Sequence, residues 1–183
     1  MKTPRLSAVA FALSLSLGSI GAFADVMVGG APMMPSRDIV DNAVHSKDHT
    51  TLVAAVKAAG LVPTLKGSGP FTVFAPTNEA FAALPAGTVD GLLKPENKAA
   101  LTKVLTYHVV PGSIDAAALQ RQIAAGGGEA KLKTVEGGSL TARADGGKIA
   151  VSDEKGNTAH VTIPDVYQSN GVILVVDKVL MPM

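Results

Sequence analysis

The spacing of apolar residues changes along the chain, from a helical period in the first part to a strand-like alternation in the second. Leu52, Val56 and Ala59 lie on one face of a predicted helix, and Gly60 follows as its stop signal. Later in the chain, short alternating segments between glycine turns predict strands over residues 131–135, 139–144, 148–152 and 158–163. Helices followed by a series of hairpins indicate an α+β fold rather than a parallel α/β fold.

Further elements flank this change of period. Other helices are predicted over residues 38–44, 78–84, 95–105 and 115–125. Extended segments are predicted over residues 71–75, 107–110 and 172–176. The pair Asn170-Gly171 precedes the last of these strands, and both residue types tolerate a positive φ. We therefore expect a turn with left-handed backbone at that point.

The first 24 residues have the layout of a secretory signal peptide. Lys2 and Arg5 precede an uncharged apolar run over 8–20, and Ala22-Phe23-Ala24 offers a cleavage site. A membrane-spanning helix needs about 20 apolar residues, which is more than this run supplies. We therefore predict cleavage after residue 24, export to the periplasm or the cell exterior, and no transmembrane segment in the mature protein.

The segment that follows the predicted cleavage site lacks any period. Residues 25–35 are rich in glycine, proline and methionine, a composition that predicts a flexible N-terminal arm. The ordered domain is expected to span residues 36–183.

Composition narrows the chemistry that this domain can perform. The 183 residues include no cysteine, which excludes disulfides, thiolate metal sites and a cysteine nucleophile. Loss of Lys2 and Arg5 with the signal peptide lowers the formal net charge from +1 to −1. A charge so close to zero excludes the broad basic surface of a non-specific nucleic-acid binder. No catalytic motif is present, so we expect neither an enzyme nor a cofactor.

Three segments, in order, resemble the fasciclin (FAS1) domain family. Residues 71–81 (FTVFAPTNEAF) resemble its first block, 106–112 (TYHVVPG) its Tyr-His motif, and 170–180 (NGVILVVDKVL) its second block. The resemblance implies a wedge-shaped α+β domain in which a β-sandwich of two small sheets packs with several helices. It also implies a secreted, single-domain bacterial protein that binds other molecules rather than transforming them.

The resemblance also points to four residues for partner binding. In related adhesion proteins the Tyr-His region contributes to integrin binding, a role that would fall on Tyr107 and His108. Asp165 and Val166 resemble the Asp-Ile pair of the family's integrin-recognition motif, with valine in place of isoleucine. Each has a structural alternative, in which His108 is buried and hydrogen-bonded, Asp165 is solvated in a loop and Val166 is packed.

Two sets of side chains suggest metal binding as a different function. His45 and His49 are four residues apart, a spacing that places two ligands on one face of a continuous helix. Ser46-Lys47-Asp48 interrupts that helix, and no third ligand is evident. The methionines near the two ends of the mature chain offer thioethers suited to Cu(I), or else fill gaps in the core. They are Met27, Met33, Met34, Met181 and Met183.

Two functional hypotheses follow. The first is a secreted, non-enzymatic interaction module of FAS1 type, monomeric, that binds a protein or a component of the cell envelope or extracellular matrix. The second is a periplasmic carrier of copper, zinc or a small ligand.

Overall fold

The computed structural model describes residues 25–183. The helices are α1 (Ile39–Ala43), α2 (Thr50–Ala59), α3 (Val62–Leu65), α4 (Asn78–Ala82), α5 (Thr88–Leu93), α6 (Lys98–Tyr107) and α7 (Ala116–Ala125). The strands are β1 (Val26–Val28), β2 (Ala31–Met33), β3 (Phe71–Pro76), β4 (Val109–Pro111), β5 (Glu129–Lys133), β6 (Ser139–Asp145), β7 (Lys148–Ser152), β8 (Thr158–Gln168) and β9 (Gly171–Val176). This mixture confirms the α+β class.

Local side-chain chemistry sets where several helices begin and end. Asp38, Thr77 and Asp115 each accept a hydrogen bond from a backbone N–H in the first turn of α1, α4 and α7. Such caps satisfy a donor that has no partner within the helix. At the end of α2, Gly60 adopts a left-handed conformation with φ of 73° and stops the helix, as predicted.

Seven strands form one sheet in the order β4-β3-β9-β8-β7-β6-β5. β3 and β9 pair in parallel, whereas the other neighbours are antiparallel. The eleven residues of β8 serve both halves, because Thr158–His160 pair with β7 and the residues from Val161 onward pair with β9. The Val135 N–H also donates to the Val109 carbonyl over 2.8 Å, which brings the two ends of the sheet together. The result is the expected sandwich, closed almost into a barrel.

Alternation along β3 and β9 divides the interior into two cores. Val73 and Ala75 of β3 face one core together with Ile173 and Val175 of β9, and helices α1, α2, α4 and α6 cover this side. Phe74 and Leu174 point the other way, into the sandwich. The two central strands are therefore buried on both faces, which explains why the segment of β9 is so uniformly apolar.

The N-terminal segment differs from the flexible arm that its composition predicts. β1 and β2 form an antiparallel hairpin in which Val26 opposes Met33. Val28 and Met33 are each 3% exposed, because they pack into the helix-side core. The Gly29 carbonyl accepts a hydrogen bond from Lys47, which ties the hairpin to the chain before α2. Residues 1–24, with the predicted signal peptide, lie outside the described part of the chain.

Two further local predictions are corrected, and two short helices are found that were not predicted. Tyr107 ends helix α6 and His108 is its C-cap, so the extended segment begins only at Val109. The expected turn at Asn170-Gly171 has no positive φ at either residue. Helices α3 and α5 are absent from the predictions, because Pro63 in α3 and Gly91 in α5 are residues that disfavour a helix interior.

A network of buried amides fixes the N-terminal elements to the sheet. Asn170 accepts a hydrogen bond from the Ile39 N–H and donates to the carbonyls of Leu65 and Gly67. Asn42 bonds to both backbone groups of Met34 and to the Gln168 side chain. These amides lie in the apolar interior with their polar atoms paired, so they fix the position of α1 on the sheet.

Across residues 25–183, the longest helices have ten residues, and none is long and apolar enough to span a bilayer.

Candidate functional site

The Tyr-His pair lies inside the protein rather than on its surface. Tyr107 is 0% exposed and His108 is 3% exposed, at the point where α6 passes into β4. Neither side chain offers area to a partner, so the pair acts through the fold.

The Tyr107 hydroxyl links the end of helix α6 to the start of β6 and to the turn after β7. It donates to the Ser139 carbonyl over 2.7 Å and accepts from the Glu154 N–H over 3.2 Å. Burial, with the nearby carboxylates of Glu154, Asp153 and Glu136, raises the pKa of Tyr107 to about 12. The hydroxyl therefore stays protonated at neutral pH and keeps donating.

His108 uses both ring nitrogens in structural hydrogen bonds. Its Nε2 accepts from the Leu180 N–H over 3.0 Å, so the proton of the neutral ring resides on Nδ1 and is donated to the Val104 carbonyl over 2.8 Å. Burial lowers the pKa of His108 to about 4, with the Val104 carbonyl and Asp153 opposing it. The ring is neutral at physiological pH and links α6 to the C-terminal segment.

Replacing Tyr107 by Phe tests this structural role. We expect the free energy of unfolding to fall by about 1–2 kcal/mol, since a buried carbonyl and an N–H lose their partner. Urea denaturation followed by far-ultraviolet circular dichroism measures the change. Partner binding by the folded variant should equal that of the wild type, and a loss of binding without a loss of stability would contradict the structural role.

Asp165 and Val166 lie in β8, where the backbone is irregular. Two register shifts interrupt the pairing of β8 with β9, one between Val161 and Ile163 and one between Ile163 and Val166. Asp165 sits in the second with φ of 57°, a left-handed conformation that aspartate tolerates better than most residues. Bulges redirect side chains, and here the Asp165 carboxylate accepts the Ala116 N–H over 2.6 Å at the start of α7.

The two residues of this pair therefore have different roles. Val166 is 1% exposed and packs in the helix-side core. Asp165 is half-buried and reaches the surface. Of the four predicted partner-binding residues, Asp165 alone is accessible, and the structure places Tyr107 and Val166 in separate cores.

Tyr167 is the surface aromatic that sequence analysis missed. It is 48% exposed, and its hydroxyl donates to the Asp115 carboxylate over 3.1 Å. Partial burial, the bond to Asp115 and the charges of Asp165 and Asp115 raise the pKa of Tyr167. Asp115, Asp165 and Tyr167 together are here called the tyrosine–aspartate surface. Strand alternation could have revealed it, because a buried Val166 turns its two neighbours outward.

The predicted metal-binding histidines are not brought together as a pair. His45 is exposed beyond the end of α1, whereas His49 is buried and contacts the Ser46 hydroxyl. Among the methionines, Met33 is a core residue, while Met27 and Met183 are exposed. Within residues 25–183, no cluster of three or more histidine and carboxylate side chains is arranged to hold a metal ion.

The fold and the site together define the class, which is an α+β domain built around two cores. Two of its three candidate contact residues, Asp165 and Tyr167, lie on a bulged strand, and the third, Asp115, caps α7. The family model of the Fasciclin domain matches residues 47–182. The chain therefore belongs to the fasciclin domain family, whose members are in general adhesion or interaction modules rather than enzymes. The resemblance of the three sequence segments is confirmed.

Relatives from bacteria and animals are similar over most of the chain. Protein sll1483 of Synechocystis is 54% identical over 144 residues, which cover 79% of this chain and 73% of the relative. Immunogenic protein MPB70 of Mycobacterium bovis is 38% identical over 76% of this chain and 66% of its own. Transforming growth factor-beta-induced protein ig-h3 of Sus scrofa is 34% identical over 81% of this chain, which spans only 20% of that protein.

A solved structure shares the fold. The FAS1 domain pair of the insect cell adhesion molecule fasciclin I superposes with a TM-score of 0.67 at 18% identity, covering 78% of this chain and 50% of that one. This likeness extends to the architecture alone.

Proposed function

We propose that this protein is an exported interaction module, which binds another protein or a component of the cell envelope through its tyrosine–aspartate surface. The observation that carries the proposal is the exposure of Tyr167. The other aromatic residues of the described chain are buried or half-buried in the cores.

The composition of this surface suits recognition. Tyrosine is enriched among the residues that dominate binding energy, because it offers a large contact area at little conformational cost. Its bond to Asp115 holds the Tyr167 ring in place before a partner arrives. Asp115 also caps α7 through its other carboxylate oxygen, so the residues of the surface are anchored to one helix. Two carboxylates beside the ring favour a partner that presents basic groups.

Membership in a family of adhesion and interaction modules supports the same reading. Export follows from the signal-peptide layout of residues 1–24. The matched insect protein is a cell adhesion molecule by name, and interaction with a surface-bound partner is the corresponding activity proposed here.

Replacing Tyr167 by Ala is the direct test. The immobilised mature protein is used to capture its partner from an envelope extract. The variant should bind that partner at least about 30-fold more weakly, which is the effect of losing a dominant contact residue. Val135 is 45% exposed and lies outside this surface, so Val135→Ala is a control of similar exposure and should retain full capture.

A second pair of variants separates charge from backbone geometry. Asp165→Asn keeps an oxygen for the Ala116 N–H and tolerates the left-handed backbone, but it removes the charge. We expect it to fold normally and to weaken capture, particularly at low salt, since a charge on the rim of an interface acts through screened attraction. Undiminished capture by both Tyr167→Ala and Asp165→Asn would overturn the proposal.

A further inference from the structure

An apolar cavity of about 70 Å³ lies within the helix-side core, between the N-terminal hairpin, helix α2 and the sheet. Its walls are mainly aliphatic and include Val28, Met33, Leu52, Val56 and Ile173. One ordered water needs about 10–15 Å³ of such space and two or more polar partners. The cavity therefore exceeds the size of a single water and lacks the polar lining that a water cluster requires.

One polar ring lines this cavity without being fully satisfied. His49 is 3% exposed, and its Nδ1 lies 2.9 Å from the Ser46 hydroxyl. Its Nε2 has no hydrogen-bond partner among residues 25–183. Because buried polar groups are nearly always paired, this nitrogen calls for an explanation.

The neighbouring serine determines which nitrogen carries the proton. Ser46 is 2% exposed, and His49 Nδ1 is the acceptor within reach of its hydroxyl in the described chain. We assign the hydroxyl as the donor to Nδ1, because this arrangement uses its proton, and the neutral ring then carries its own proton on Nε2. Burial lowers the pKa of His49, although the Ala75 carbonyl and the Asp48 carboxylate favour its protonation. The Ala75 carbonyl is thus near enough to act on the ring but does not meet hydrogen-bond geometry with Nε2, which leaves its N–H able to donate to a better-placed acceptor.

We propose that the cavity binds a small, uncharged apolar molecule that carries one hydrogen-bond acceptor, such as a carbonyl oxygen, which receives the Nε2 proton of His49. The aliphatic walls select against a charged ligand, because burial of an unpaired charge is costly. Lys57, the charged residue of the lining, is exposed and leaves the interior neutral. This site is separate from the tyrosine–aspartate surface, so either proposal can fail without the other.

Two probes of nearly the same shape test the proposal. Acetone presents a carbonyl oxygen and is small enough for the cavity, whereas 2-methylpropene replaces that oxygen with a methylene group that cannot accept a hydrogen bond. Each is titrated into the methyl-labelled mature protein and followed by nuclear magnetic resonance. We expect both probes to shift the methyl signals of Leu52, Val56 and Ile173. With nitrogen-labelled histidine, acetone alone should move the Nε2–H resonance of His49 downfield, since 2-methylpropene has no oxygen to accept that proton.

Variants distinguish the cavity from non-specific binding. His49→Leu should lower the affinity for acetone about fivefold relative to the affinity for 2-methylpropene, the worth of one hydrogen bond. Val53 lines the cavity, so Val53→Phe should fill it and weaken both probes, whereas Ala54→Phe lies on the exposed side of α2 and should change neither.

Two results would overturn the proposal. Absence of methyl shifts with either probe, up to the highest concentration at which the protein stays folded, would mean that the cavity stays empty. An Nε2–H resonance of His49 that responds equally to the two probes would remove His49 as the recognition group, and this comparison does not depend on any variant folding.

Discussion

Replacement of Gly171 by Ala is expected to lower the free energy of unfolding by about 3 kcal/mol or more, one of the largest effects of a single methyl group in this protein. Gly171 opens β9, where it pairs in parallel with Phe71 of β3. A Cβ atom built on Gly171 overlaps the Phe71 carbonyl oxygen and lies 2.9 Å from the carbonyl carbon. The obstacle is backbone at the centre of the sheet, so relief requires moving the two strands apart.

Glycine is required here because two strands approach closely, and not because of its backbone conformation. Gly171 has no positive φ, and alanine fits its backbone angles. The matched control is Gly91→Ala in α5, because Gly91 has no neighbour within 4 Å. Alanine favours a helix over glycine, so this control should gain about 0.5–1 kcal/mol. Denaturant titrations of both variants make the comparison, and a Gly171→Ala protein as stable as the wild type would refute the close-approach argument.

Stability is expected to fall steadily as the pH drops from about 6.5 to about 4, and His108 is the main cause. The pKa of His108 is about 4 in the folded protein and has its ordinary value of 6.5 when the chain unfolds. Between these values the unfolded chain binds a proton that the folded protein does not, so acid favours unfolding. The loss is roughly 1.4 kcal/mol for each pH unit, or about 3 kcal/mol over the window. Below pH 4 both states bind the proton and the contribution of His108 levels off.

His108→Gln isolates this contribution. The glutamine amide retains one donor and one acceptor for Val104 and Leu180 but does not titrate. We expect the variant to be less stable than the wild type at pH 7, with a much flatter profile between pH 6.5 and 4. A residual slope in the same direction is expected from His49, whose pKa burial also lowers. Equal slopes in the variant and the wild type would exclude His108 as the source.

Much of the fold follows from local sequence signals. Gly60 ends α2 as predicted, and the helix predicted over 115–125 is found over Ala116–Ala125 with Asp115 as its cap, because helix ends depend on a few neighbouring atoms. The hairpin β1–β2 was missed, since Pro32 and the glycine pair of its turn hide the alternation of Ala31 and Met33 toward the core. What orders this hairpin is its contact with distant helices, and a local pattern does not record such contacts.

The site was less accessible to sequence reasoning than the fold. His108 has the alternative, structural role: it is buried, and both of its ring nitrogens form hydrogen bonds inside the protein. Val166 likewise packs in the core. Tyr167 escaped notice because an aromatic residue in a chain with few of them suggests a core position. Its partner Asp115 is 52 residues away in the chain, and only folding brings the two together.

The parallel pairing of β3 and β9 determines how the domain responds to a pulling force. Tension applied to the chain before β3 and after β9 pulls the two strands in opposite directions along their shared axis. All six residue pairs, from Phe71–Gly171 to Pro76–Val176, then bear the load together instead of separating one after another. The centre of the sheet is thereby arranged to resist shear, whereas the antiparallel hairpins β5–β6 and β6–β7 lie outside the line of force.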